Sequence, residues 1–369
     1  MRNLRPIALV ICLGITGQPS RAGQSLELWS SAEELASVPV SGPAWSAVKN
    51  GADEDTSNPD VSNQDDPTNV RVLAAAIVFA RTGDSHYKDK VVSAIQTLVT
   101  RGYPGGRTLA WARETGAYAL AADLVGCRTL EFEAWLRKMA DVWIASDGRT
   151  LRVIFEHRPN NWGTHAFGSL CSIYAYLGDT QALAAIRAYW IQSVTGPKPA
   201  LLHYGSDKSW HLDPNDPRMI NPKGAMKEGF NIDGFFPDDM RRGGSFSIPP
   251  GYTGYVWEVQ QGLIQAARVL ERQGMAIWDV DQQALYRAAY ALQVRLGNQD
   301  GAWKAAGDDL WMLAFLDRAY GTDWSGHQDV WGAGKNVGWP YVLLGDDATQ
   351  PSAASPIWLN IDRLTPRMR

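Results

Sequence analysis

The stretch Ala80-Arg-Thr-Gly-Asp-Ser85 separates two segments whose apolar residues have helical spacing. Glycine suits the position just after a helix, where the backbone turns left-handed, and aspartate or serine caps the start of the next helix. The stretch therefore predicts an antiparallel hairpin between helices near Val70–Thr82 and Tyr87–Arg101.

The same arrangement returns at Ala175-Tyr-Leu-Gly-Asp-Thr180, between helical patterns at Phe167–Leu177 and Gln181–Val194. Strand-like alternation is scarce. Further helical patterns cover Leu109–Leu124, Leu130–Ser146, Tyr255–Gln273, Asp281–Leu296 and Asp309–Tyr320. Repeated helix hairpins predict an all-α fold, arranged as an incomplete (α/α) toroid or barrel with long loops that line a cleft.

The start of the chain predicts the location of the protein, and the patterns that follow predict its division into segments. A basic start, the apolar run Ile7–Ile15 and then Ser20-Arg-Ala22 are typical of a signal peptide over residues 1–22. We expect a periplasmic or secreted protein with no membrane anchor after cleavage. Residues 23–66 look irregular, and residues 67–369 are predicted to form a single toroid domain. Within it, residues 195–254 lack a long helix, and a loop of that length is usually functional.

Charge and cysteine content narrow the classes of partner. The chain has 35 basic and 39 acidic residues, a net charge of −4, and loss of residues 1–22, with three arginines and no acid, would make it −7. This balance argues against nucleic-acid binding, but a local basic cleft could still bind an anionic glycan. Cys127 and Cys171 could form a disulfide after export or remain buried thiols.

The stretch Arg158-Pro-Asn-Asn-Trp-Gly-Thr-His-Ala-Phe167 runs from a proline into an apolar helical pattern. It places Asn160, Asn161 and His165 at or near a helix start, where the helix dipole favours anions. Side-chain amides there suit a carboxylate or a sugar hydroxyl. Sixteen tryptophans occur in the chain, and aromatic rings suit sugars, although we expect most to be core residues.

Such a site could perform β-elimination on a uronic-acid polymer. That reaction requires a group that neutralises the C5 carboxylate, a base for the C5 proton and an acid for the departing oxygen at C4. An amide and an arginine suit the first role, histidine or tyrosine the second, and tyrosine the third. The chain supplies these groups at Asn161, His165, Arg241 or Arg242, Tyr252 and Tyr255. The chemistry requires no metal or other cofactor.

Two motif blocks resemble those of the alginate-lyase superfamily. Its members are (α/α)-toroid polysaccharide lyases and include polysaccharide lyase families five and thirty-eight. The blocks are Asn160-Asn161 and Asp233-Gly-Phe-Phe-Pro-Asp-Asp-Met-Arg-Arg-Gly243, followed by Tyr255 at a helix start. The resemblance implies that Asn161 neutralises the substrate carboxylate. It also assigns the catalytic arginine to Arg242, five residues after Pro237, and the catalytic tyrosine to Tyr255. The implied substrate is an anionic polysaccharide of alginate or glucuronan type.

The base departs from the family pattern, because Trp162 stands where family five has its histidine. Three candidates remain: His165 one turn further along the helix, His203 in the irregular region, or Tyr255 acting as both base and acid. Residues expected to contact the substrate are Asn160, Trp162, Trp210, Arg241 and Tyr252.

Two other functions fit parts of the sequence. An inverting glycoside hydrolase needs two carboxylates about 6.5–9.5 Å apart, for which the candidates are Glu114, Asp238, Asp239 and Glu258. A non-catalytic glycan-binding protein would need only aromatic residues and a long cleft. The segment Gly334-Lys-Asn-Val-Gly338 resembles a family segment near the cleft, without an assigned chemical role.

Overall fold

The computed structural model describes residues 26–326 and 330–345, so the predicted signal peptide lies outside the described residues. The described chain is mostly helical, as the sequence predicts. Its helices are α1 Ala32–Ser37, α2 Gly42–Asp53, α3 Thr68–Thr82, α4 Ser85–Arg101, α5 Thr108–Leu124, α6 Leu130–Arg137, α7 Leu151–His157, α8 Asn161–Leu177, α9 Thr180–Thr195, α10 Pro237–Met240, α11 Tyr255–Arg272, α12 Val280–Tyr290 and α13 Trp311–Tyr320.

Strands are confined to one small hairpin in the described part of the chain. Strand β1, Met226–Lys227, pairs antiparallel with β2, Phe230–Asn231. The hairpin lies inside the predicted irregular region, which also contains the four-residue helix α10. The prediction that residues 195–254 contain no long helix is therefore confirmed.

The two glycine–aspartate junctions end and start helices as predicted. Gly83 and Gly178 adopt left-handed backbone, with φ of 73° and 67°. The following residues, Asp84 and Asp179, each accept a backbone N–H from the first turn of the next helix at 3.0 Å. Helix α3 packs against α4, and α8 against α9.

The prediction that residues 23–66 are irregular is wrong for the described part of that segment. Ser31 and Glu34 form a capping box that starts α1, and α2 follows. Leu28, Trp29 and Val48 are fully buried in the same hydrophobic core as the later helices. The polar composition concealed short helices whose larger apolar residues, Leu35, Trp45 and Val48, pack in or against the core.

Two predicted long helices end earlier than expected or change type. Helix α6 continues as the π-helical turn Lys138–Val142 and stops before Ser146, and α12 continues as the π-helical turn Ala291–Leu296. The short helix α7 was not predicted, since seven residues give too little periodicity to distinguish it from a loop.

Helices α5, α8 and α11 pack closely at the centre of the molecule, and every residue of α5 is buried. Glycines permit this approach. A Cβ at Gly262 of α11 would lie 2.1 Å from the Thr164 carbonyl oxygen of α8, and one at Gly116 of α5 would lie 2.3 Å from Gln265 Nε2. The three helices are thus fixed at backbone distance, which gives the groups at their ends a rigid support.

The segment around Lys335 is tied to this centre by buried side chains. Asn69 Nδ2 donates to the Lys335 carbonyl oxygen at 2.9 Å, and Gln261 Oε1 accepts the Lys335 N–H at 2.9 Å. Cys127 and Cys171 are both free and buried, so of the two possibilities left by the sequence the structure has the buried thiols. None of the described helices has the length and hydropathy needed to cross a membrane.

Candidate active site

A cleft of about 350 Å³ opens where the first turns of α5, α8 and α11 come together. Three helix N-termini at one place contribute positive potential. The lining residues are Gln64, Asp65, Arg107, Leu109, Arg113, Asn161, Trp162, Arg242, Tyr255, Glu258 and Lys335.

The cleft is positively charged although the whole chain is acidic. Four of its lining residues are cationic and two are anionic, in a chain whose net charge is −4. Desolvated charge of one sign in a concave site attracts ligands of the opposite sign. The cleft therefore suits an anionic ligand.

Asn161 is held at the first position of α8 and is 1% exposed. Its backbone N–H donates to Asp239 Oδ1 at 3.2 Å, and its side-chain Nδ2 donates to Glu258 Oε2 at 3.0 Å. The side-chain oxygen Oδ1 is buried without a hydrogen-bond partner among the described residues. A buried amide with unused hydrogen-bonding atoms beside a cleft is suited to bind a ligand.

Glu258, in the first turn of α11, is the anionic centre of the cleft. Arg113 Nη2 lies 2.6 Å from Glu258 Oε2, and Lys335 Nζ lies 2.7 Å from Oε1. Burial acts to raise the pKa of Glu258, but the charges of Arg113 and Lys335 outweigh it and lower the pKa from 4.5 to about 2. Glu258 is therefore ionised at neutral pH.

Arg242 and Tyr255 both line the cleft and contact each other. The Arg242 guanidinium lies over the Tyr255 ring, 4.0 Å from its centroid. Tyr255 is the first residue of α11, and its N–H donates to Thr253 Oγ1 at 3.3 Å. The stacked cation places positive charge beside a phenol that faces the cleft.

Neither histidine proposed as the base lines the cleft. His165 is 0% exposed, and burial, together with the charge of Arg113, lowers its pKa to about 3. His203 is exposed, and its ring lies 5.4 Å from that of His157, outside the cleft. Of the three candidates for the base, the structure places only Tyr255 at the cleft surface.

Three of the residues expected to contact the substrate make structural hydrogen bonds and are not among the described residues that line the cleft. Trp210 is 1% exposed, and its indole N–H donates to the Gly244 carbonyl oxygen at 2.8 Å. Asn160 Nδ2 donates to Asp238 Oδ2 at 3.0 Å, and Arg241 Nε donates to Asp238 Oδ1 at 2.9 Å. Asn160 and Arg241 thus fix the loop that carries Arg242.

The other two substrate-contact candidates differ in position. Trp162 lines the cleft, with the guanidinium groups of Arg107 and Arg158 5.7 and 5.8 Å from its ring. Tyr252 is 57% exposed and lies against Trp303, 5.3 Å between centroids, but is not part of the cleft lining. Trp162 therefore remains a candidate sugar contact.

The carboxylates proposed for a hydrolase are not gathered in the cleft. Of the four, only Glu258 is among the described lining residues. Glu114 and Asp239 are buried, and that burial raises the pKa of each well above its ordinary value. Asp238 is 3% exposed and is paired with Arg241.

Several cleft residues were missed by the sequence reasoning. Gln64 and Asp65 come from the segment predicted to be irregular, Arg107 directly precedes α5, and Arg113 lies within it. An arginine within the apolar pattern Leu109–Leu124 was the available signal for Arg113. The family-like segment around Lys335 signalled that lysine.

Comparison of the chain with protein-family models gives no match, and comparison with curated proteins gives none either.

Proposed function

We propose that the protein is an exported polysaccharide lyase that cleaves a uronic-acid-containing polysaccharide, of alginate or glucuronan type, by β-elimination. The observation that carries the proposal is that Asn161, Arg242 and Tyr255 line one positively charged cleft. These residues lie 81 and 13 positions apart in the sequence, and each is of a type that elimination requires.

The carboxylate of a bound uronate would be neutralised by the buried amide and the cations. The Asn161 amide has a second N–H with no acceptor among the described residues, and Arg242 and Lys335 border the same cleft. Directed hydrogen bonds and positive charge stabilise the enolate-like carboxylate that forms when C5 loses its proton.

Tyr255 is proposed as both base and acid. Its phenolate oxygen would take the C5 proton, the electron pair of the C5–H bond would form the C4–C5 double bond, and the C4–O bond would break. The phenol would then return that proton to the departing oxygen. This assignment is favoured over a histidine because His165 is fully buried and His203 lies outside the cleft. The contact between the Arg242 guanidinium and the Tyr255 ring also supports it, because it brings the proposed carboxylate-neutralising and proton-transferring groups together.

The incomplete (α/α) toroid is proposed as the arrangement of the helices. It is supported by the capped pairs α3–α4 and α8–α9, and by three helix N-termini that converge on one cleft. Export is proposed from the signal-peptide pattern in residues 1–22.

A polymer panel tests the function. The protein is incubated with polymannuronate, polyguluronate and polyglucuronate, and the unsaturated uronate formed by elimination is followed by its ultraviolet absorbance. We expect product from at least one polymer, and much slower but measurable product formation with Asn161→Ala. Reducing ends without unsaturation would indicate a hydrolase. Binding without any product would indicate a glycan-binding protein. Either result with folded protein overturns the proposal.

A further inference from the structure

Glu258 contacts three of the charged or amide side chains that line the cleft. Its Oε2 accepts from both Arg113 Nη2, at 2.6 Å, and Asn161 Nδ2, at 3.0 Å, and its Oε1 accepts from Lys335 Nζ at 2.7 Å. The side chain is 17% exposed. One carboxylate thus connects α5, α8, α11 and the segment around Lys335.

The carboxylate also determines which way the Asn161 amide faces. An amide can be turned by 180° so that its oxygen and nitrogen exchange places. In the turned state Asn161 Oδ1 would face Glu258 Oε2, and two acceptors at about 3 Å repel each other. The ionised carboxylate therefore selects the state in which Nδ2 donates one N–H to Glu258 and retains the other.

We propose that Glu258 is a positioning residue that fixes the Asn161 amide so that its second N–H is presented to an anionic ligand in the cleft. The inference rests on the proposed function for the identity of that ligand, a uronate carboxylate. Arg113 and Lys335 offset the negative charge of Glu258, because an uncompensated carboxylate would repel the substrate it helps to bind.

Kinetics of Glu258→Ala test the inference. We expect turnover to fall about 10- to 100-fold, the value of one charge-assisted hydrogen bond. The KM should not rise, since the cleft becomes more positive. The control is Glu271→Ala on the same helix, whose carboxylate also pairs with two arginines, Arg268 and Arg318. It should leave both constants unchanged. Glu258→Gln, which keeps the size but offers one oxygen instead of two, serves if the alanine variant does not fold.

A double-mutant cycle shows whether Glu258 acts through Asn161. In an Asn161→Ala background, Glu258→Ala should lower activity by less than about threefold, because the group it positions is already absent. An equal loss in both backgrounds would show an independent effect and overturn the inference.

The Asn161 side-chain N–H resonances give a second test that does not depend on activity. In protein labelled with ¹⁵N-asparagine, the resonances are assigned by their loss in Asn161→Ala. Glu258→Ala should shift them, and Glu271→Ala should not. If the wild type cleaves no polymer, the proposed function fails, and these resonances still report on Glu258. Unchanged resonances in Glu258→Ala would overturn the inference.

Discussion

Helix α11 has two carboxylates, one near each end, and each of them pairs with two cations. Near its start, Glu258 lies 2.6 Å from Arg113 and 2.7 Å from Lys335. By charge alone, this cluster resembles an ordinary structural ion network.

Near the other end of the helix, Glu271 lies 3.3 Å from Arg268 and 3.1 Å from Arg318. One helical turn on from Arg268, Arg272 pairs with Glu34 at 2.5 Å and so joins α11 to α1. This cluster attaches α1 and the segment before it to α11.

The difference between the two ends lies in what surrounds the ions. At the start of α11 the buried Asn161 amide keeps one N–H and one oxygen without a partner among the described residues, and a cleft provides room for a ligand. Glu271 is not among the described residues that line the cleft. Unused hydrogen-bonding capacity next to open space, rather than the ion pair, marks the functional end.

The largest expected effect is a loss of turnover, and it concerns only the end of α11 that borders the cleft. Tyr255→Phe should reduce turnover by about 10³-fold, because loss of a general acid or base typically costs about 10²–10⁴-fold, while substrate binding and thermal stability stay close to wild type. Steady-state kinetics and calorimetric binding measure this. Tyr252→Phe is the control, since that ring lies outside the cleft lining. Retained turnover in Tyr255→Phe would show that another group transfers the proton.

The next effect concerns the middle of α11, which supports both ends. Gly262→Ala should lower the free energy of unfolding by about 1–3 kcal/mol, the usual cost of overpacking, because its Cβ would lie 2.1 Å from the Thr164 carbonyl oxygen. Denaturant unfolding measures it. Gly254→Ala is the control, because a Cβ there meets nothing closer than 3.8 Å. Equal stability of the two variants would contradict the close packing of α8 and α11.

A smaller effect on stability concerns only the other end of α11, around Arg272. Arg272→Met removes the contacts to Glu34 and to Glu27, so it should cost about 1 kcal/mol of stability, as expected for partly exposed charged pairs. Turnover and KM should be unchanged. A change in either kinetic constant, measured well below the unfolding temperature, would show that the two ends are coupled.

The smallest expected effect is on the pH dependence of stability, and it should be similar at both ends of α11. The pKa of Glu34 and that of Glu258 are each lowered from 4.5 to about 2. Burial acts to raise both pKa values. At Glu34, Ser31 and Arg272 outweigh the effect of burial, and at Glu258, Arg113 and Lys335 do so. Because the folded state holds these groups ionised, their stabilisation is present above pH 4.5 and is lost as the pH falls towards 2.

Thermal unfolding of Glu34→Gln and Glu258→Gln between these pH values tests that statement. Each variant should unfold a few degrees below wild type at neutral pH, and the difference should shrink as the pH falls towards 2. A difference that stays constant with pH would show that the carboxylate charge is not what stabilises the protein at that end.

The fold was predictable wherever local signals agree. Gly83 and Asp84 ended one helix and started the next as expected, since capping depends on backbone geometry near in sequence. Helices α1 and α2 were not predicted, because their burial depends on contacts with distant residues. The Glu34–Arg272 pair spans 238 residues and leaves no local pattern.

The site was predictable in residue type and only partly in position. Asn161, Arg242 and Tyr255 do line the cleft. Asn161 and Tyr255 each begin a helix that the sequence predicts, and Arg242 lies in a motif block that the sequence singles out. Arg113 was not assigned a role, since its partner Glu258 is 145 residues away. Likewise, nothing local distinguishes Trp210, which is buried, from Trp162, which borders the cleft.

The attachment of the Lys335 segment has a consequence for the order in which the protein assembles. Asn69 bonds to a carbonyl group 266 residues later, and Lys335 completes the ion cluster around Glu258. Helices α5, α8 and α11 all precede Lys335 in the chain. The ion cluster around Glu258 is therefore complete only once the segment around Lys335 has docked onto the helices that support the cleft.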